Sequence, residues 1–452
     1  MIPIVTPEEM AEVDAAAPEP IDVLIERAGA AVAWSVRKWL GGTYGQRIAL
    51  IAGKGNNGED GRVAAGHLRR WGARVVELDP SVERVPEGCD LVIDAAYGTG
   101  LSGPYVAPSC DAPVLAVDIA SGVNGLTGEI EGRALSAEAT VTFQALKPGH
   151  LLHPGAGHSG AVEIVDLGLD VSAARAGLLQ ADDVATMLPS RGAQAHKWES
   201  ACLVVAGSPG MTGAAHLAAA AAARAGAGYV RLSVPGSDDA LSGAASHAPV
   251  EVVQRPFPAE GWATHFDDAS RFDSLVIGPG LGRDAVTLAN VRDSFGVSLP
   301  LVIDGDALGV VSDCFDVLRA RRTPAVLTPH DGEFEAITGS RPSADRIASA
   351  RRLATECGSV VLLKGPATIV AAPTGDVVVS ATGDQRLATA GTGDVLAGTI
   401  GALLARGLEP LEAAAAGAWL HGKAATLAPR HGMVASDLLI ALPEVLDETD
   451  VG

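Results

Sequence analysis

Two glycine-rich turns carry the residues with the clearest chemical potential. The first, GKGNNG at residues 53–58, sits between an apolar β-rich run and a helical stretch and meets the G-x-G-x-x-G spacing. It fits the phosphate turn of a dinucleotide-dependent dehydrogenase, with Glu77 or Asp79 near the place of a ribose-binding acid, although any tight strand-to-helix turn selects glycines. Asn56, Asn57, Asp60 and Gly61, however, crowd the turn with side chains where a pyrophosphate needs bare backbone, so they read as ligand contacts. Further along come Asp94, the loop GTGLSGP (98–104), Asp118, Ser121 and Gly122, oxygen donors that could hold a hard cation or orient a polyhydroxyl ligand.

The second turn, GTGD at 391–394, opens the helical stretch VLAGTIGALLARG. Free N–H groups and the helix dipole converge there on the place of a phosphate. A lone Asp394 would be an ordinary helix-stabilising residue. Beside an anion cradle, a carboxylate is suited to take the proton from a hydroxyl that attacks a phosphoryl group. Its companions are KGPAT (364–368), TPHDGE (328–333), IGPGLG (277–282) and HKWESACLVVAGSPGMTGAA (196–215). Lys364 ends an apolar run and could neutralise phosphates, and Gly365 lets the chain approach them.

These turns need strand ends to hold them. In the first half, RIALIA (47–52), RVVELD (74–79), LVIDAAYG (91–98) and VLAVDIASG (114–122) alternate with helical stretches, the pattern of a doubly wound parallel sheet with ligands beyond its C-terminal strand ends. The periodic segment from Ile21 to Leu40 is expected to be a packing helix. A second α/β series has strands at 203–207, 229–234, 274–280, 301–306, 325–330 and 360–365. The looser stretch between the series places the boundary near residue 178, giving domains 1–178 and 179–452.

Length and charge limit the partners. At 452 residues, two domains are favoured over one core. With 54 acidic against 33 basic residues the net charge is −21, which disfavours nucleic acid and anionic membranes. Five cysteines lie far apart without metal-ligand spacing and read as reduced thiols. The acidic N-terminus does not read as a signal peptide, and the alanine run Ala218–Ala223 stops at Arg224, a buried helix and not a membrane span. A cytoplasmic, symmetric homo-oligomer is expected.

GKGNNGEDG, VIDAAYGTGLSGP, VDIASGVNG and FQALKPGH, in that order, resemble the YjeF-type N-terminal domain, the NAD(P)H-hydrate epimerase family, over roughly the first 170 residues. The resemblance implies a Rossmann-like sheet. It also implies hydrate binding by Asn56, Asn57, Gly58, Glu59 and Asp60, by Gly98, Thr99, Gly100, Leu101, Ser102, Gly103 and Pro104, and by Asp118, with potassium held by Asn57, Asp94 and Ser121. Epimerisation at ring carbon C6 needs an acid/base group, for which Asp118 is the first choice and Lys147 the second; the plain alternatives are a turn carboxylate and a solvated surface lysine. Glu59 stands where the family has glycine and is expected to repel a phosphate-bearing ligand, and Ala120 replaces a proline.

The second set of motifs resembles the ADP- or ATP-dependent NAD(P)H-hydrate dehydratases, a ribokinase-like fold, over residues 180–445. It implies adenine-nucleotide contacts by Lys364, Gly365, Pro366, Ala367, Thr368 and Gly393, and hydrate contacts by Ala214, Gly282, His330 and Asp394. Mg²⁺ is expected on the nucleotide phosphates, with ADP the preferred donor. The competing reading is a ribokinase-like small-molecule kinase fused to a non-catalytic nucleotide-binding module.

Overall fold

A computed structural model describes residues 1–101, 103–236 and 248–449. The chain divides into two units, residues 2–177 and residues 178–452 together with Met1.

In the first unit, helix α1 (Pro7–Ala15) starts at a capping box in which Thr6 and Glu9 satisfy each other's backbone N–H groups. Helix α2 (Ile21–Leu40) buries Leu24, Ala28, Val32, Ala33 and Val36, a stripe at three- to four-residue spacing, and ends at Gly41 in the left-handed region. Strands β1 (Arg47–Ala52), β2 (Arg74–Leu78), β3 (Leu91–Ala95), β4 (Val114–Val117), β5 (Ala139–Phe143) and β6 (Ala161–Val165) form a six-stranded parallel sheet in the order β2-β1-β3-β4-β5-β6. Strands β5 and β6 extend the four-strand series that the sequence pattern suggests. Helix α3 (Asn56–Arg70) joins β1 to β2. The chain leaves β1 on one side and returns through β3 on the other, so a crevice opens where their C-terminal ends diverge. Here the backbones nearly touch: a β-carbon at Gly53 would lie 1.9 Å from the Ala96 carbonyl oxygen.

The second unit has strands β7 (Ala201–Val205), β8 (Tyr229–Ser233), β9 (Val253–Gln254), β10 (Ser274–Ile277), β11 (Leu301–Ile303), β12 (Val326–Leu327), β13 (Val360–Leu363), β14 (Thr368–Ala371) and β15 (Val377–Ser380). They lie in the order β15-β14-β13-β12-β11-β10-β7-β8-β9. From β13 to β9 all pairings are parallel, whereas β14 and β15 form an antiparallel hairpin edge. The central strands are buried throughout, as a sheet covered on both faces requires. Helices α4 (Thr212–Arg224), α5 (Asp331–Thr338), α6 (Arg346–Cys357), α7 (Thr392–Ala405) and α8 (Pro410–Leu427) pack around it. The alanine run lies in α4, with Ala218 to Ala222 buried. Helix α7 approaches α4 so closely that a β-carbon at Gly398 would sit 2.0 Å from the Ala218 carbonyl oxygen. Among the described residues, no helix is long and apolar enough to cross a membrane.

Candidate active sites

The crevice of the first unit widens into a cavity of about 560 Å³. Its polar wall includes Lys54, Asn56, Asn57, Asp60, Asp118 and Lys147, and Gly98, Thr99, Gly100 and Leu101 close one side. Gly103 and Pro104 lead away toward Tyr105, and Ser102 lies outside the described residues. Helix α3 begins at Asn56, and a β-carbon at Gly58 would lie 2.1 Å from the Gly53 carbonyl oxygen, so this turn closes only around glycine. Among the described residues, both amide atoms of Asn57 are buried without a hydrogen-bond partner, which leaves them open to a ligand. Glu59 faces Arg62 at 2.7 Å; the repulsion expected from its extra carboxylate is met by a neighbouring guanidinium.

Asp118 follows β4 with φ of 65°, a left-handed conformation uncommon for a non-glycine residue. Lys147 does not lie on the surface, contrary to the solvated alternative: it is 1% exposed, and its ammonium donates to Asp118 Oδ1 at 2.7 Å, Thr142 Oγ1 at 2.9 Å and the Phe143 carbonyl at 3.2 Å. The Lys147 backbone N–H donates to His150 Nδ1 at 3.1 Å, so Nε2 carries the hydrogen toward the Asp118 carbonyl at 2.8 Å. Burial, then the Lys147 charge, pushes His150 down to about 4. Burial by itself would raise the Asp118 carboxyl, but the charge and hydrogen bond of Lys147, with the Thr99 amide, outweigh it and hold it below the usual range. Asp94 and Ser121 meet below the cavity wall, with Ser121 Oγ at 2.7 Å and its amide at 2.9 Å from the carboxylate. Burial raises Asp94, only partly countered by these neutral donors. Among the described residues, no group of three or more His, Cys, Asp or Glu has the arrangement of a metal site.

Sequence reasoning missed the opposite wall. Met10 and Asp14 of α1 and Ile21, Leu24 and Ile25 of α2 border the cavity, so the segment expected only to pack also shapes the site. No motif marks them, because they reach the cavity by folding across the sheet.

In the second unit, α7 starts at Thr392 behind Gly391, whose φ is 91°. Buried His421 donates from Nε2 to the Thr392 carbonyl at 2.9 Å, and burial pushes its pKa down to about 4, so a neutral ring pins the turn. Lys364 follows β13 with its ammonium 2.7 Å from Asp304 Oδ1, and a β-carbon at Gly393 would lie 3.3 Å from that nitrogen. Asp304, 2% exposed after β11, also accepts from Thr328 Oγ1 at 2.6 Å. Burial would lower the Lys364 pKa, yet Asp304, Glu333 and Asp394 together raise it. Asp394 is half-buried and, among the described residues, accepts no hydrogen bond. Burial first, then the charge of Asp304, raises its carboxyl to about 6 despite Lys364.

The structure thus gathers Lys364, Gly393 and Asp394 from distant segments and adds Asp304, visible beforehand only as the first acid of the LVIDGD run. Gly365 and Pro366 are exposed at the tip between β13 and β14, while Ala367 and Thr368 run into β14. Arg346 holds this tip by bonding the Lys364 carbonyl at 2.9 Å and Asp331 at 2.8 Å. Gly282 donates to Asp306 Oδ2 at 2.9 Å, and Ala214 abuts Gly280, where an added β-carbon would lie 3.1 Å away. His330 caps α5, its Nδ1 accepting from Gly332 and Glu333, which leaves Nε2 as a donor on a ring that is 60% exposed.

Fold and site together define a Rossmann-like α/β unit followed by a ribokinase-like one with a carboxylate and a lysine at a glycine-rich helix start. A solved ribokinase-like superfamily protein from Enterococcus faecalis V583 shares this second fold, with a TM-score of 0.53, 24% identity, and coverage of 61% of this chain and 96% of that one. A family model described as NAD(P)H-hydrate dehydratase matches residues 202–445, and one described as YjeF-related protein N-terminus matches residues 21–83 and 75–149. The bifunctional NAD(P)H-hydrate repair enzyme Nnr of Mycobacterium leprae (strain TN) is 39% identical over 92% of this chain and 92% of its own length. That of Moorella thermoacetica is 36% identical over 98% and 96%. The chain belongs to the family of bifunctional NAD(P)H-hydrate repair enzymes.

Proposed function

We propose that the chain repairs hydrated NADH and NADPH in two steps. The first unit interconverts the R and S hydrates, and the second dehydrates the S form at the expense of an adenine nucleotide, with ADP preferred. The observation that carries this reading is the Asp394 carboxylate at the start of α7, which accepts no hydrogen bond among the described residues, beside the Lys364–Asp304 pair. Hydroxide is a poor leaving group, so a phosphoryl group is first placed on the C6 oxygen. Asp394 takes the hydroxyl proton as that oxygen attacks. Lys364 and the N–H groups at Gly393 hold the transferred phosphoryl charge. The C6–O bond then breaks with its electron pair on phosphate, pushed by the ring nitrogen, and loss of the C5 proton restores the reduced ring. Gly365 to Thr368 would line the nucleotide, and Ala214, Gly282 and His330 the hydrate. Mg²⁺ on the nucleotide phosphates neutralises their charge when bound.

In the first unit Asp118, which lines the cavity and is kept ionised by Lys147, serves as the proton acceptor. Asn56 to Asp60 and Gly98 to Pro104 would frame the hydrate. Asn57, Asp94 and Ser121 would hold a potassium ion: among the described residues the Asn57 amide lacks a partner, and the buried Asp94 carboxylate meets only neutral donors.

The test is to mix purified full-length protein with each hydrate epimer and either ADP or ATP, and follow the return of reduced-nicotinamide absorbance. Both epimers are expected to be repaired. A stable phosphorylated product would favour the small-molecule kinase, and an unused nucleotide would end the dehydratase assignment.

A further inference from the structure

Asp60 has a setting that hydrate binding alone does not explain. It lies on α3, is 7% exposed and borders the cavity, yet among the described residues no hydrogen bond or ion pair reaches its carboxyl group. An ionised carboxylate without donor or cation is costly to bury. The charges around it add to that cost: Asp14 from α1, Asp118 from the loop after β4, and Glu59 on its own helix. The cations nearby are largely committed. Arg62 pairs with Glu59 and with Glu77, and Lys147 with Asp118, while the buried His150 ring is neutral; Lys54 borders the same cavity. Burial, then Asp118, Asp14 and Glu59, raises Asp60 to about 8, so it carries a proton at neutral pH while Asp118 does not. Two carboxyl groups on one cavity, driven to opposite protonation states, divide into an acid and a base.

Resting on the epimerase reading above, we propose that Asp60 is a second catalytic residue of epimerisation: it protonates the departing C6 hydroxyl, and Asp118 takes the proton of the water that returns. The steps balance without an oxidant or reductant. The Asp60 proton passes to the C6 oxygen, and the C6–O bond breaks with its electron pair leaving as water. The N1 lone pair becomes an N1=C6 double bond. Water adds to the other face of C6, the double-bond pair returns to N1, and the surplus proton goes to Asp118. Water bound to a cationic carbon is a strong acid, so a carboxylate held low by Lys147 is base enough. Exchange with solvent restores the starting protonation, and the reverse reaction uses the same two groups in exchanged roles.

The experiment follows the epimer ratio by chromatography, starting from pure R hydrate with full-length protein and no nucleotide, and subtracting the uncatalysed rate. Asp60→Asn is expected to slow interconversion at least about 100-fold, with the half-saturating hydrate concentration changed by less than about threefold. Nucleotide-dependent repair of the S hydrate by the same preparation reports an intact second unit. The wild-type rate should fall as pH rises through about 8, where Asp60 loses its proton. Asp14→Asn should move that fall to lower pH, because one of the charges that retain the proton is gone, and this shift decides the matter even if Asp60→Asn misfolds. Interconversion by Asp60→Asn within about threefold of wild type, a loss confined to affinity, or an alkaline fall unmoved by Asp14→Asn overturns the proposal. A wild-type chain that never interconverts the epimers overturns the epimerase reading with it.

Discussion

At the scale of single residues, each site sets a carboxylate in the field of a lysine, and the two carboxylates end on opposite sides of their ordinary range. Asp118 touches its lysine at 2.7 Å and is held down, whereas Asp394 lacks such a contact and is raised to about 6 by burial and Asp304. If Asp394 is the base, it works only when ionised. The nucleotide-dependent rate at low hydrate concentration should then climb about tenfold per pH unit below about 6 and level off above it. Asp394→Asn should abolish repair of both epimers, and a flat pH profile would remove Asp394 from that role. Asp118→Ala leaves Lys147 buried without its counter-charge and should destabilise the first unit by about 3–5 kcal/mol in urea unfolding. Adding Lys147→Met should recover much of that loss, since the unpaired charge goes too. If the double variant is no more stable than the single, the ion pair is not what the first unit depends on.

At the scale of elements, what places the groups is backbone proximity. Helix α7 lies over the central strands β7, β10 and β11 and presents GTGD from there because Gly398 lets it lie against α4. A methyl group there would collide with the Ala218 carbonyl at 2.0 Å, so Gly398→Ala should cost about 1–3 kcal/mol and lower the thermal midpoint of the second unit. Epimer interconversion should be unaffected, and equal damage to both activities would contradict a local packing role. In the first unit the asymmetry between β1 and β3 opens the crevice, and α1 and α2 supply its apolar wall. The periodicity of α2 shows that one face is buried, but Ile21 and Ile25 in its first two turns serve the cavity, and no spacing rule separates these uses.

At the scale of the whole molecule, each unit has its own core: one cluster draws only on residues from Leu179 onward, and two others only on residues up to Ala174. The two activities should therefore be separable by mutation. Asp118→Asn should leave S-hydrate repair near wild type while slowing R-hydrate repair by about 10²-fold or more, and Asp394→Asn should leave epimer interconversion intact; loss of both by either variant would mean that the chemistry is not so divided. The alternation of apolar runs and helical stretches was enough to specify two parallel α/β units, because strand and helix periods are local properties of the chain. The glycine turns were legible for the same reason: GKGNNG and GTGD show their conformational demand within a few residues. Strands β5 and β6 and the hairpin of β14 and β15 carried weaker local patterns. Only the tertiary structure decided that Lys147 is buried and paired, that Asp304 holds Lys364, and that Asp14 and Asp60 share a cavity with Asp118. Charge state and partnership depend on burial and on neighbours far away in the chain, and residue spacing does not encode either.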